Sequence, residues 1–387
     1  MILFELVPFE LLRVIWWFLM GVMLIAFAIT DGFDMGTGVL LPFVTRSDVE
    51  RRVVINTVGP VWEGNQVWFI LGGGSIFAAW PPLYAISFSG FYLAMFLILM
   101  AMILRPVAFK YRSKRPDPGW RAMWDAALFI GGFVPSLLFG VAVGNVMLGV
   151  PFHLTPDLMP VHEGGLFGKL FGLFRPFAIL CGLVSLAMAV MLGAGWLVLK
   201  TEGAIQDRAR RYGRMAALAA FAGYALGGLW LAFGIQGYGF VTPPAHDGPS
   251  NPLLNAVMRT DSWLAAYAER PWIAIAPALG FLGTLMAWRA MSGRGEISPL
   301  LWGQTAVFGM IASVGLVMFP FILPSNTSPD SSLSVWDASS SHQTLFVMLV
   351  GGMIFLPLIM VYTAWVYRVL WGKVTPEDVE NPDTHAY

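Results

Sequence analysis

Nine times along this chain an apolar run long enough to cross a lipid bilayer is closed off by a short polar or basic stretch. The runs go from Leu11 to Phe43, Val53 to Ala79, Leu83 to Leu104, Met123 to Leu148, Phe174 to Leu199, Met215 to Ile235, Trp272 to Ala290, Leu300 to Leu323 and Thr344 to Trp371. A spanning helix needs about 20 apolar residues. Hydrocarbon leaves backbone N–H and C=O groups no partner but each other, so such runs predict helices. The expected fold is therefore all-α and polytopic, a single integral membrane domain over residues 1–387. Only 12% of the residues are charged, against about 25% in soluble domains. The formal net charge is zero, which argues against nucleic acid as a partner. The only cysteine, Cys181, lies inside an apolar run, which excludes a disulfide and a thiolate metal site and points to core packing. The first run is too long for a cleavable signal and has no small-residue cleavage site, so it is expected to stay in the membrane.

Basic residues set the orientation, because cytoplasmic loops collect them. With nine spans and the N-terminus outside, 18 of the 23 Lys and Arg residues fall inside. The five left outside are Arg13, Lys169, Arg175, Arg259 and Arg270. The competing reading makes the second run, with its polar centre, a re-entrant loop. Eight crossings would divide the same residues 16 to 7, so nine spans with the C-terminus inside fit better. Proline at 81 and 82 breaks helix at Trp80, which places a tight turn between the second and third spans. Trp16, Trp17, Trp80 and Tyr84 suit an interfacial aromatic belt. Gly72, Gly73 and Gly74 suit close approach of neighbouring helices. The segments from Gly149 to Leu173 and from Gly237 to Pro271 read as outer surface connections.

The chemistry-bearing residues stand where hydrocarbon makes them costly. Asp31 and Asp34 interrupt the first span, and Glu63, followed by Asn65 and Gln66, interrupts the second. An ionisable group in the membrane costs about 2.5–3.5 kcal/mol on insertion scales, so it needs a partner or a task. Asp31 and Asp34, three apart, share a helix face. Two carboxylates that close repel, so one holds a proton unless a cation neutralises it. Arg105 at the end of the third span and Lys114 just beyond are the cationic candidates. Glu63 is expected at mid-depth, as a relay carboxyl beside amides. Any one of these groups is nearly as well explained by snorkelling or ion-paired packing; three together favour a proton or ion path. His153, His162 and His246 fall in outer connections, His342 opens the last span and His385 lies in the tail. Axial haem ligation wants a side chain aimed into a bundle, so no haem is assigned to this chain. His153 and His162 with Asp157 and Glu163 form at most a loosely spaced metal set, better read as solvated loop residues. The basic clusters Arg112 to Arg115 and Arg208 to Arg214 read as topology signals and lipid-headgroup contacts.

The run WWFLMGVMLIAFAITDGFDMGTGVLLPF, then NTVGPVWEGNQVWFILGGGSIFAAWPPLY, then FSGFYLAMFL leading to LRPVAFKYRSK, closely resembles subunit II of cytochrome bd quinol oxidases. The likeness is dense from Trp16 to Lys114 and continues at Gly140, Gly144, Asn145 and Val146. It implies nine helices arranged as two four-helix bundles plus a peripheral helix. It also implies a partner, subunit I, that carries two b-type haems, haem d and the quinol site, while this subunit carries none. Asp31 and Asp34 match the aspartates of the DGFD motif, and Glu63 an acidic position more often Asp. Arg105 and Lys114 match the arginine and lysine of the RPV and YRSK motifs. Lys110 stands where related sequences can have an acid, so no role is carried over to it. The resemblance implies that these residues belong to a proton route from the cytoplasm and that the subunit supports assembly. It further implies a bacterial cytoplasmic membrane, a quinol substrate in the lipid, and in some members a structural quinone or small single-helix accessory subunits. The alternatives are a proton- or cation-coupled secondary transporter, for which no inverted halves with a second broken helix are found, and a scaffold whose carboxylates only pair with a partner's charges.

Overall fold

The computed structural model describes residues 3–380; His385 lies outside them. In chain order the helices are α1 (Phe9–Val44), α2 (Asp48–Val58), α3 (Trp62–Asn65), α4 (Val67–Ala79), α5 (Pro81–Gly90), α6 (Tyr92–Tyr111) and α7 (Pro118–Leu148). They continue with α8 (Leu166–Gly172), α9 (Pro176–Lys200), α10 (Gly203–Gly234), α11 (Ala265–Glu269), α12 (Ile275–Ala290), α13 (Ser298–Met318), α14 (His342–Val369) and α15 (Pro376–Glu380). Among the described residues eight helices are long and apolar enough to cross a membrane. A ninth crossing is reached if Trp62–Ala79 and Pro81–Gly90, bent by 117° at Trp80, count as one broken span.

Several boundaries differ from those read off the sequence. The expected span from Val53 to Ala79 is not one helix: Gly59, Pro60 and Val61 interrupt it, since Pro60 has no N–H to continue the ladder. The break at Trp80 falls where the prolines predict it, but helix resumes at Pro81, not Leu83, and breaks again at Phe91. The Arg208 to Arg214 stretch, expected in a loop, is the first half of α10. Beyond Met318 the chain leaves the helix and Phe321–Leu323 is extended, where the eighth span had been expected to run on.

Helices α1, α7 and α9 form the centre, held close by missing side chains. A Cβ at Gly36 would sit 1.8 Å from the Ala189 carbonyl oxygen of α9, and one at Gly132 of α7 would sit 2.3 Å from that of Met35. Small residues do permit close helix approach here, but not the ones expected: Gly73 and Gly74 have open space where a Cβ would be. Helices α10, α12 and α13 pack with α9 on one side, and α4, α6 and α14 lie on the other. Of α14 only Leu345 is buried.

One end of the bundle is closed by three antiparallel hairpins: β1 (Phe152–Leu154) with β2 (Pro160–His162), β3 (Gly237–Phe240) with β4 (Val257–Thr260), and β5 (Phe321–Leu323) with β6 (Leu333–Ser334). The connections are thus folded caps and not plain surface loops. Arg13, fully buried, donates to the carbonyls of His246 and Gly248 and to Ser339 Oγ. Asp337 accepts from the Ser334 N–H at 2.8 Å and from Asn255 Nδ2 at 3.0 Å. The caps also cover the aromatic side chains predicted for a lipid interface: Trp16 is 4% and Trp80 1% exposed, and Trp16 Nε1 donates to the Leu345 carbonyl. Trp80 Nε1 is buried without a partner among the described residues, and Trp17 and Tyr84 are half-buried.

Candidate functional site

The polar residues of the first two spans meet in the half of the bundle away from the hairpins. Asp31 and Asp34 leave the same face of α1, as their three-residue spacing dictates, and both are buried. Arg105 comes across from α6 and grips Asp31 with two bonds, Nη1 to Oδ2 at 3.0 Å and Nη2 to Oδ1 at 2.7 Å. This is the bidentate fork that a planar guanidinium offers a carboxylate. Its Nη2 stands 4.0 Å from Asp34 Oδ2. Helix α7 makes room for the arginine with Gly131, where a Cβ would lie 2.6 Å from Arg105 Cγ.

Asp34 is held from a third side. Asn65 Nδ2, on α3, donates to Asp34 Oδ2 at 2.8 Å, and the Tyr367 hydroxyl of α14 donates to Asn65 Oδ1 at 2.6 Å. An aromatic group closes over them: Phe33 stacks on Trp196 at 4.2 Å, and Tyr367 meets Trp196 edge-on at 5.9 Å. Asp34 Oδ1 is buried with no hydrogen-bond partner among the described residues. One guanidinium thus faces two carboxyl groups, and Asp31 takes both of its strong bonds. A buried cluster of one guanidinium and two carboxyl groups is neutral when it holds one proton. The oxygen with no bond to lose is on Asp34.

Two expected members stand elsewhere. Glu63 is exposed on the surface of the chain, not buried. About 25 Å of helix separates it from Trp80 at the hairpin end. Lys114 is exposed in the short 3-10 turn Arg112–Lys114. The inward cation is instead Arg112, two turns beyond Arg105 on the same face. It binds Asp125 Oδ1 of α7 at 2.5 Å and Asp48 Oδ1 at 2.9 Å. Arg121 adds a bond to Asp48 at 2.5 Å, Arg51 approaches Asp125 at 3.3 Å, and Arg208 meets Glu50 at 2.5 Å. Arg46 N–H and the Arg208 guanidinium hold the Glu50 carboxyl below its ordinary range against the opposing pull of burial. This belt ties the basic ends of α2, α6, α7 and α10 below the cluster.

The sequence reading missed Tyr367 and Asp125. Tyr367 is 302 residues from its partner, so no local pattern reveals it. Asp125 is the only acid in its span, a signal of the same kind as Asp31. The histidine set does not converge: pairing of Phe152 with His162 and of His153 with Val161 puts the two rings on opposite faces of the hairpin. Among the described residues no group of three or more His, Cys, Asp and Glu comes together.

Comparison with known proteins reaches the same region of protein space. The family described as cytochrome bd terminal oxidase subunit II matches residues 12–370. Cytochrome bd-I ubiquinol oxidase subunit 2 of Escherichia coli K12 is 43% identical over 381 residues, covering 98% of this chain and 99% of that protein. The probable cytochrome oxidase subunit 2 of Haemophilus influenzae is 43% identical over 98% of this chain and 100% of its own length. The cytochrome bd ubiquinol oxidase subunit 2 of Bacillus subtilis is 28% identical over 94% of this chain and 97% of its own length. A solved bd oxidase from Geobacillus thermodenitrificans shares the fold, with a TM-score of 0.68 over 92% of this chain and 98% of that one at 14% identity.

Proposed function

The chain belongs to the family of cytochrome bd terminal oxidase subunit II, and from that membership we propose that it is the non-haem subunit of a membrane quinol:oxygen oxidoreductase. It pairs with a haem-bearing subunit I in the bacterial cytoplasmic membrane, supports assembly of the complex, and contributes a stretch of the path by which cytoplasmic protons reach the oxygen-reducing centre. Quinol is oxidised toward the opposite surface and releases protons there, so charge is separated without a pump. The two haems b and haem d of the partner supply the electron transfer and oxygen chemistry. The described histidines here, at positions 153, 162, 246 and 342, lie in the hairpins, the cap or the first turn of α14, away from the bundle interior where axial ligands are needed.

The observation that carries the reading is the Asp31–Arg105–Asp34–Asn65 cluster. Its functional part is Asp34 Oδ1, a buried carboxyl oxygen with no hydrogen bond to break. In this scheme Asp31 stays ionised against Arg105, and Asp34 takes up and passes on a proton. Asn65 and Tyr367 hold the other oxygen of Asp34 in place. Arg112 and its belt of acids mark the cytoplasmic side, in keeping with the excess of Lys and Arg at that end. Glu63, two residues from Asn65, opens outward. A charged group facing lipid is costly, so this face is the one subunit I covers, and Glu63 is where the route leaves the chain. Lys114 sits at the mouth, biasing the local field.

The test is the complex itself. Co-expressed with subunit I, the chain is expected to yield a reduced-minus-oxidised spectrum with haem b and haem d bands and quinol-dependent oxygen uptake. Expressed alone it is expected to carry no stoichiometric Soret band. A stoichiometric band in the isolated chain would contradict the assignment of the haems to the partner.

A further inference from the structure

The hairpin end carries a second polar constellation, independent of the carboxylate cluster. Where α7 and α10 end and α9 begins, Leu148, Arg175, Gln236, Tyr238, Arg259 and Asn326 line an open cleft of about 440 Å³. No carboxylate is among the residues that line it.

Of its two cations one is unbonded and the other holds a single carbonyl. Arg13 spends its guanidinium on the cap, and Arg270 donates to the Phe319 carbonyl. Arg259 gives one N–H to the Asn326 carbonyl. The Arg175 side chain makes no hydrogen bond or ion pair to any described residue. Tyr238 is only 8% exposed, with its ring fixed between Trp263 and Phe321, and its hydroxyl has no partner among the described residues. Gly149 leaves space for that hydroxyl, since a Cβ there would lie 2.4 Å from it. Burial pushes the Tyr238 hydroxyl up in pKa while Arg259 and Arg175 pull it back, so both guanidiniums lie within electrostatic reach of the same oxygen. A hydroxyl that opens on the cleft from a buried ring, and two guanidiniums with bonds to spare and no acid lining the cleft, make a site for an anion.

The surroundings say which anion. Immediately below the cleft, on the membrane side, α10 presents Leu226, Leu229, Trp230 and Phe233 on one face, 57%, 58%, 42% and 88% exposed. Spacings of three and four make them a continuous stripe. Cations with an exposed apolar helix face leading away from them match an amphiphile with an acidic head.

We propose that this cleft binds the phosphate of a phospholipid, with Arg175 and Arg259 on the phosphate oxygens, the Tyr238 hydroxyl donating to it, and an acyl chain lying along Leu226 to Phe233. The site rests on the chain's place in a membrane and not on the proton route, so the two stand or fall separately.

Native mass spectrometry of the detergent-purified two-subunit complex, titrated with phosphatidylglycerol after delipidation, tests it. Arg175 has no partner to lose, so Arg175→Gln should assemble with normal haem content. It is expected to need about tenfold more phosphatidylglycerol for half-occupancy, the effect of one charge-assisted hydrogen bond. Arg175→Lys should hold most of the occupancy, and Tyr238→Phe should lose about threefold. Inorganic phosphate at matched concentration should not displace the lipid. An Arg175→Gln complex that titrates like the wild type would overturn the proposal. So would displacement by inorganic phosphate, which would assign the cleft to a free anion.

Discussion

Asp31 and Asp34 are one turn apart, face the same arginine, and differ in how many bonds hold them. Asp31 has both oxygens on Arg105, so Asp31→Asn breaks the bidentate pair and leaves the guanidinium only Asp34, 4.0 Å away, a loss of up to about 3–5 kcal/mol. Its expected result is poor accumulation of the complex, measured as haem recovered per cell. Asp34→Asn leaves that pair intact and should assemble. Tyr367→Phe removes one hydrogen bond, worth about 1 kcal/mol, and is expected to keep haem content while slowing turnover severalfold. Unchanged turnover would show that Asn65 orients Asp34 unaided. At this scale the sequence was informative where cost was visible. Two acids in an apolar run and an arginine at a span end announce themselves, and they do meet. Lys114 is exposed and stays outside the cluster, because nearness along the chain does not say which side chain points inward. Arg112 lies seven residues from Arg105, two turns on, and that spacing was the available signal. Tyr367 carried none, since a tyrosine near a span end looks like any interfacial residue.

Helix contacts depend on residues whose contribution is an absence. Gly36→Ala puts a Cβ into the Ala189 backbone and is expected to abolish assembly, while Gly73→Ala and Gly74→Ala, with open space around them, should leave haem content and thermal stability of the complex within error. Sequence showed the glycines but not their neighbours, so it favoured the conspicuous triplet over the isolated ones that matter. The hairpins escaped it because their strands are two to four residues long, too short for alternation to show. One hairpin contact should respond to pH. His162 Nε2 lies 2.8 Å from Ser89 Oγ of α5, and burial, helped by Lys169, lowers the pKa of His162 below its ordinary 6.5. The folded state therefore prefers the neutral ring. The stability this contributes is present above pH 6.5 and is lost as pH falls through the lower folded value. Hydrogen exchange in β1 and β2, corrected for intrinsic rate, is expected to rise over that window, and His162→Gln should flatten the rise.

Across the whole molecule the sequence read the all-α, many-span class from apolar length alone, because hydrocarbon allows the backbone little else; the structure has eight spanning helices among the described residues, or nine if the bent pair counts as one. It did not show that the second span is interrupted or that its acid faces outward, since both are set by packing between segments far apart in the chain. The orientation makes a direct prediction. A cysteine at Ser47, in the short link between α1 and α2, should be blocked in intact cells only by a membrane-permeant reagent, in a background where Cys181 is replaced. Blocking by an impermeant reagent would reverse the topology and with it the cytoplasmic side of the route. The central claim is that Asp34 passes protons, and oxygen uptake per haem d in the Asp34→Asn complex tests it most directly. Asparagine keeps the shape and can still accept from Asn65 but carries no transferable proton. The account predicts normal haem content with turnover per haem d reduced about 100-fold or more, the range by which removing a positioned proton carrier slows a step. Wild-type turnover per haem d in a fully assembled Asp34→Asn complex would contradict it.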